Sequence, residues 1–534
     1  MILTRRQLLC HVSAAAASLS TRWSVADLLD AHLSAQALDS WDAGSVYHAL
    51  PAVSHDRILL KVSLTEALEA APVLAVGRRR VAGSKTDSRG FFWEFDIPDL
   101  APATAYPLEL RSDRGRMLAA PWTITTFPPP DSAADHVRVV FFTCAGGHDA
   151  LLANNVTQPL AVRRALLERA VAERPHAVVA NGDHVYWDLF AATSASLGAS
   201  EEAVAHAGTF DRSLPVLGSS NEDFLLKAAG EQIAPLYRTT CRAIPVYFVR
   251  DDHDYFDNDT ASDALITFPP SDHMMRLARA TQRLYYPEFL PDANRPSGLP
   301  GTGEPGRPAG VSQSYGTLRY GNLLEVLLYD NRRTGTMHGP TAVFVDREVE
   351  QWLVGRMQAR DTVHVVNAPG LPPGWTKGNW YEWYPDRIVD GRASVASPKP
   401  YWQPGWLAQH DRLLAAMHEM RDRIPLIMSG DIHALAVGRI TRCGDRDFSS
   451  NPVVSMLPGP VGIDGTSWPR AIEHPNQLDV IDRWTPIKEN GFTVVDFYRD
   501  RIEAALFRWN GRQQSAADIP ALKPFERVVL VRTG

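Results

Sequence analysis

Cysteine is scarce in this chain, with four among 534 residues. Cys10 lies in an N-terminal segment with the pattern of an export signal. That leaves Cys144, Cys241 and Cys443, an odd number that cannot close a disulfide framework and leaves a thiol available for another task. A basic stripe is also missing. Net charge is -7 and the positive side chains form no long run, which argues against nucleic acid as a specific partner. No apolar stretch is long enough to cross a bilayer, so stable membrane insertion is not expected. Internal repeats are absent as well. The remaining composition, 45% apolar and 22% charged, is ordinary for a globular protein, and the length exceeds that at which one core keeps growing. Two domains are expected.

The N-terminus carries Thr4-Arg5-Arg6-Gln7-Leu8-Leu9, then an alanine-rich stretch, then Ala35-Gln36-Ala37. This resembles a twin-arginine export signal with an A-x-A cleavage sequence, so residues 1–37 are expected to engage export machinery. The product would be exported, periplasmic or extracellular. A frayed helix with two exposed arginines is the plainer alternative. Residues 40–126 have a different texture: short alternating apolar runs at 58–62, 73–76 and 91–95, separated by turn residues at sandwich-like spacing. The segment 100–106 looks like the loop and tyrosine corner of a fibronectin III-like all-β sandwich, with Tyr106 at the corner. It holds no ligand cluster and reads as a packing or docking module. Residues 127–136, opening Phe127-Pro128-Pro129-Pro130, form a stiff linker.

From 137 to 534 strand-like runs alternate with helical periodicity at roughly 158–173, 223–241, 272–287, 346–359 and 405–422, the pattern of an α/β layered domain. Six apolar runs end in polar, metal-competent residues. The run 137–143 leads into Cys144, and 177–180 into Asn181-Gly182-Asp183. The run 244–249 leads into Asp251-Asp252-His253-Asp254, and 323–329 into Asp330-Asn331-Arg332. Finally 362–366 leads into Asn367, and 427–429 into Gly430-Asp431-Ile432-His433. Each alone has a bland reading: Cys144 as a small buried apolar group, Tyr186 as core, the 251–254 cluster as an exposed turn. Together they imply one site at the carboxyl ends of a sheet, where open α/β sheets keep their chemistry. Two Pro/Gly-rich loops, 291–311 and the aromatic 369–387 with Trp375, Trp380, Tyr381, Trp383 and Tyr384, are rim candidates.

Such a ligand set suits hydrolysis of a phosphate ester, which needs oxygen charge neutralised, hydroxide supplied near neutral pH and the leaving oxygen stabilised. Two cations held about 4 Å apart by a bridging carboxylate meet those needs. Asp183 is the bridging candidate. Tyr186 and Cys144 can bind as anions, which suits trivalent iron and would give a coloured centre. Asp252 is expected on the second metal, with Asp431 and His433 approaching both from one strand end. His253 is free to protonate the leaving oxygen, with Asp254 as its orienting partner. Hard oxygen donors and the amides of Asn258 and Asn367 suit calcium or another hard divalent ion. Arg332 is a candidate clamp for a phosphate oxygen.

The ordered set Phe141-Phe142-Thr143-Cys144, Gly182-Asp183-His184-Val185-Tyr186, Asp251-Asp252-His253-Asp254, Tyr329-Asp330-Asn331-Arg332 and Ser429-Gly430-Asp431-Ile432-His433 resembles the motifs of the alkaline phosphatase D (PhoD-like) family, in the calcineurin-like metallophosphoesterase superfamily. The resemblance implies a four-layer α/β/β/α metallophosphoesterase sandwich behind the all-β module. It also implies a phosphomonoesterase or phosphodiesterase, and a centre of Fe3+ and Ca2+ held by Cys144, Asp183, Tyr186, Asp252 and His433, with Asp431 and Asn367 in support. A phospholipase-like phosphodiesterase, with the aromatic loop gripping the larger group, is a rival. A cell-envelope binding protein with a vestigial metal site is another.

Overall fold

The computed structural model describes residues 41–150, 157–190, 201–255, 269–303, 307–336, 341–376, 387–389, 392–394, 404–464 and 471–532. Among the first of these, two four-stranded antiparallel sheets share one apolar layer. One joins Val46–Val53, Ile58–Leu64, Phe92–Ile97 and Ser84–Lys85; the other joins Arg79–Ala82, Val73–Val76, Ala105–Arg111 and Trp122–Thr125. Leu60, Val62 and Phe95 of the first meet Leu74, Leu108 and Ile124 of the second. The Tyr106 hydroxyl accepts a hydrogen bond from the Ala101 N–H at 2.7 Å, tying the loop before its strand. Ile58–Leu64 is buried along its whole length rather than alternately, because the helix Asp272–Tyr285 lies against it.

Past residue 135 two larger sheets face each other. The six-stranded sheet has the order Val246–Val249, Ala177–Asn181, His136–Phe142, Asn490–Tyr498, Arg501–Trp509, Glu526–Val531, and its first three strands run parallel. The eight-stranded sheet is built on the parallel strands Leu324–Tyr329, His364–Pro369, Leu426–Met428 and Val453–Pro458. Alternation along each strand sorts side chains between layers. Val137, Val139 and Phe141 meet Val326, Leu328, Val366 and Met428 between the sheets. Val140, Phe142 and Val178 face the opposite way, onto the helices Leu160–Val171 and Glu231–Tyr237. Leu327, Val365 and Ile427 pack on the helices Arg347–Gln358 and Pro404–His418. Helix thus covers the outer face of each sheet.

The carboxyl ends of the parallel strands meet at one rim, where hydrogen bonds tie one sheet to the other: Thr143 donates its N–H to Gly459 O and accepts through its own carbonyl from the Val461 N–H, both at 3.0 Å. Asn181, at the end of its strand, donates from Nδ2 to Pro369 O and to Met428 O, both at 2.9 Å and both on the other sheet. Thr143 Oγ1 donates to Asn181 O at 2.6 Å, and Gly430 packs so closely on that carbonyl that a Cβ would stand 2.3 Å from it.

The Pro/Gly segment 291–311 is described apart from 304–306 and is pinned to the body. Arg295, buried, donates to Tyr315 O at 2.8 Å and also to Gly310 O. Arg307 pairs with Glu94 and Glu288, and Glu288 pairs with Lys61 of the smaller sheets at 3.1 Å. Of the aromatic loop, Trp375 is fully buried with its Nε1 donating to Asp482 at 3.1 Å. Trp380, Tyr381, Trp383 and Tyr384 lie outside the described residues, as do Asn258 and the N-terminal 1–37 segment. Cys144, Cys241 and Cys443 are buried free thiols.

Candidate metal centre

Three strand ends turn abruptly to aim a ligand, and each turn uses a backbone conformation that side chains ordinarily avoid. Cys144, Asp183 and Asp431 have φ of 49°, 53° and 66°. Left-handed backbone at a non-glycine residue costs of order 1–3 kcal/mol and persists where the surroundings enforce it, commonly at functional sites. The surroundings here are tight: a Cβ on Gly182 would stand 2.8 Å from Asp251 Cβ, and one on Gly370 2.7 Å from Asp251 Cγ.

The ligand atoms fall into three overlapping groups, each with members within 4.8 Å of one another: Cys144, Asp183 and His433; Asp183, Asp252 and His253; Asp251, Asp252 and Asp431. Asp183 belongs to the first two and Asp252 to the last two. Asp183 Oδ2 receives the Tyr186 hydroxyl at 3.2 Å and lies 3.3 Å from Cys144 Sγ. Thus Cys144, Asp183, Tyr186, Asp252, His253, Asp431 and His433 come together, from both sheets. All but His253 are buried; His253 is half-buried, and its ring stands 4.5 Å from that of Tyr186.

Three expected residues take other places. Asn367 lies within its strand, because parallel pairing with Leu324–Tyr329 continues as far as Pro369. Its neighbours Val366 and Ala368 point between the sheets, so its own amide points out to the helices, with Nδ2 3.6 Å from Met357 Sδ, and cannot be a ligand here. Asp254 does not orient His253. Its Oδ1 accepts the N–H groups of His184 at 3.0 Å and Val185 at 2.9 Å, and its Oδ2 that of Asp251 at 3.0 Å, so it ties the two ligand turns together. Arg332 is not held out as a phosphate clamp: Nε meets Asp251 Oδ1 at 2.5 Å and Nη2 meets Asp431 Oδ2 at 3.4 Å, with the side chain 1% exposed. It neutralises acids from within. Asp251 is the site residue that sequence reasoning misses, because it stands beside Asp252 and Asp254, and spacing alone does not say which of these aspartates turns inward.

These residues fit metal ions. Asp183 Oδ1, Asp251 Oδ2 and Asp252 Oδ1 are buried with no hydrogen-bond partner, and a buried carboxylate oxygen left bare demands a counter-charge. Burial, then the neighbouring carboxylates, push Asp183 and Asp431 well above the usual carboxylate range against the pull of His253 and Arg332 respectively. Burial and Asp183 do the same to the Cys144 thiol. Asp252 goes the other way: burial works against its charge, but His253, Arg332 and backbone N–H groups outweigh it. Asp251 is pushed up to about 7 by burial, opposed by Arg332.

A pH dependence results for protein stripped of metal. Burial pushes the Asp251 carboxyl from its ordinary value of about 4 up to about 7 in the fold, so its contribution is fully present below about pH 4 and is lost as pH rises through about 7. Asp183 and Asp431 act in the same direction. Chelator-treated protein is expected to melt at progressively lower temperature between pH 5 and pH 8, and the loaded protein is not. A melting temperature of the stripped form that climbs over that window would contradict this charge balance.

Against known proteins, a family model described as PhoD-like phosphatase matches residues 162–506. Among solved structures, that of PhoD aligns with a TM-score of 0.56 at 13% identity, covering 92% of this chain and 90% of the other. A purple acid phosphatase from yellow lupin (Lupinus luteus) seeds aligns with a TM-score of 0.52 at 12% identity, covering 92% and 75%. At these identities the structural likeness is one of fold. No curated protein matches the chain.

Proposed function

This chain belongs to the PhoD-like phosphatases and is a phosphate ester hydrolase, and from that premise we propose that it is an exported enzyme working through a two-metal centre. Metal dependence accords with the family and with the ligand groups. The observation that carries the two-metal reading is Asp183, whose carboxylate is shared between the Cys144–His433 group and the Asp252–His253 group and keeps a bare buried oxygen. Thiolate and phenolate donors suit trivalent iron at the first position. The oxygen-rich side, where Asp183 meets Asp252 with Asp251 and Asp431 beyond it, suits calcium or a similar hard divalent ion at the second.

When bound, such cations neutralise phosphate oxygens and lower the pKa of an attacking water. The protein's own residues do the rest. His253, half-buried where the other ligand-type residues are buried, is the residue we assign to give a proton to the departing ester oxygen. Asp254 holds the turn that carries it. Arg332 offsets the charge of Asp251 and Asp431, so that the acid cluster can form in a buried site. The described layers fit a four-layer α/β/β/α sandwich, and the Tyr106–Ala101 bond fits a fibronectin III-like module before it. The Arg5-Arg6 segment motivates export.

Chromogenic phosphomonoesters and diesters, assayed with and without chelator, test this. Turnover that chelator abolishes and metal restores is expected, with the ratio of the two substrates telling monoesterase from diesterase. Activity indifferent to chelator would defeat the metal reading, and absence of turnover on both esters would favour a binding protein.

A further inference from the structure

Residues 145–150 carry the chain from Cys144 away from the aspartate cluster, and they deliver a second set of ligand-type side chains. Gly147, at φ 141°, turns the backbone against Thr157, where a Cβ would stand 2.9 Å from Thr157 Cβ. The imidazole of His148, 1% exposed, is thereby set beside Glu231 and His206. His148 Nε2 lies 3.1 Å from Glu231 Oε2, and His206 Nε2 lies 3.2 Å from the same oxygen. The two rings meet edge to face at 4.9 Å, and one donor atom from each residue falls within 4.8 Å of the other two. The three come from separate segments: the loop after Cys144, the helix Glu201–Ala207, and the start of Glu231–Tyr237. A π-helical turn, Leu226–Gly230, precedes Glu231, a local geometry that is frequent at functional sites.

We propose that His148, His206 and Glu231 form a further metal site, separate from the aspartate cluster, for one zinc-class divalent ion. Two imidazoles and a carboxylate are a set that zinc takes with its fourth position left to water. Nitrogen donors distinguish it from the oxygen-rich cluster. Burial is graded in the way such a site needs. His148 is enclosed, whereas the His206 and Glu231 side chains are 32% and 45% exposed, which leaves an entry and room for water.

His148 Nε2 also lies 3.0 Å from Lys227 O, and its Nδ1 accepts the Ala150 N–H at 3.2 Å. The ring proton therefore sits on Nε2. An ion held at Nε2 would require the proton on Nδ1 instead, leaving the charge of the ring unchanged, and would replace both the Nε2–H bond to Lys227 O and the bond from Ala150. The site also bears on the cluster. Gln232, next to Glu231, accepts through Oε1 the N–H groups of Gly147 at 2.9 Å and Tyr186 at 3.0 Å. An ion held by Glu231 and His148 would brace the segments that present Cys144 and Tyr186.

Equilibrium dialysis of the full chain, already loaded with its catalytic metal, against micromolar zinc tests this by elemental analysis. The wild type is expected to hold one zinc more per chain than His206→Ala or Glu231→Gln, while iron and calcium contents are the same in all three. Equal zinc in wild type and variants overturns the proposal. So does a zinc difference matched in full by a change in the cluster's own metal content, since the zinc would then have sat in the cluster. Because the readout is the zinc difference, failure of the phosphatase reading leaves this result interpretable.

Discussion

Asp183→Ala is expected to lose bound metal, visible absorption and ester hydrolysis together, with activity down by more than the roughly 10- to 100-fold that loss of a mere outer-shell partner costs. The carboxylate lies within reach of Cys144 and His433 on one side and of Asp252 on the other, so its removal opens both sides at once. Alanine at φ 53° is also strained. Asp183→Asn separates the effects, since asparagine tolerates that backbone and fills the same space. It too is expected to fall in metal content, with its melting temperature close to that of stripped wild type. Full metal occupancy in Asp183→Asn would remove Asp183 from the bridging position.

His253→Ala should behave in the opposite way: metal retained, rate lost. A positioned general acid contributes about 100- to 10,000-fold, and His253 is the half-buried residue beside the buried Asp183 and Asp252. The loss should lie in kcat more than in KM. It should shrink for esters whose leaving group is already a good one, because such a group departs without a proton. Elemental analysis and a leaving-group series decide it. If His253→Ala empties the centre, His253 is a ligand and another group donates the proton.

How much of the fold and of the site is legible in the sequence depends on what each signal measures. Apolar runs mark the parallel strands closely: 177–180 against Ala177–Asn181, and 244–249 against Val246–Val249. The helical periods at 272–287 and 346–359 correspond to Asp272–Tyr285 and Arg347–Gln358. The span 223–241 is not one helix. Its periodicity continues across Leu226–Gly230, but the chain takes a π turn there, and Pro235 sits inside the helix beyond it. Asn367 departs from expectation for a related reason. Apolarity ends at Val366, whereas the ladder of hydrogen bonds, which polarity does not report, runs on to Pro369. Among the acids, the sequence singles out Asp251-Asp252-His253-Asp254 as a group. Only the turn geometry shows that Asp251 pairs with Arg332, Asp252 faces Asp183 and Asp254 serves the backbone.

The amide of Asn181 has a bearing on which ions the site can choose between. Because its two bonds cross from one sheet to the other beside the ligands, a change at Asn181 would act on both donor sets at once. A cation that needed a wider span would have to lengthen those bonds, at a cost of about 1 kcal/mol for each one lost.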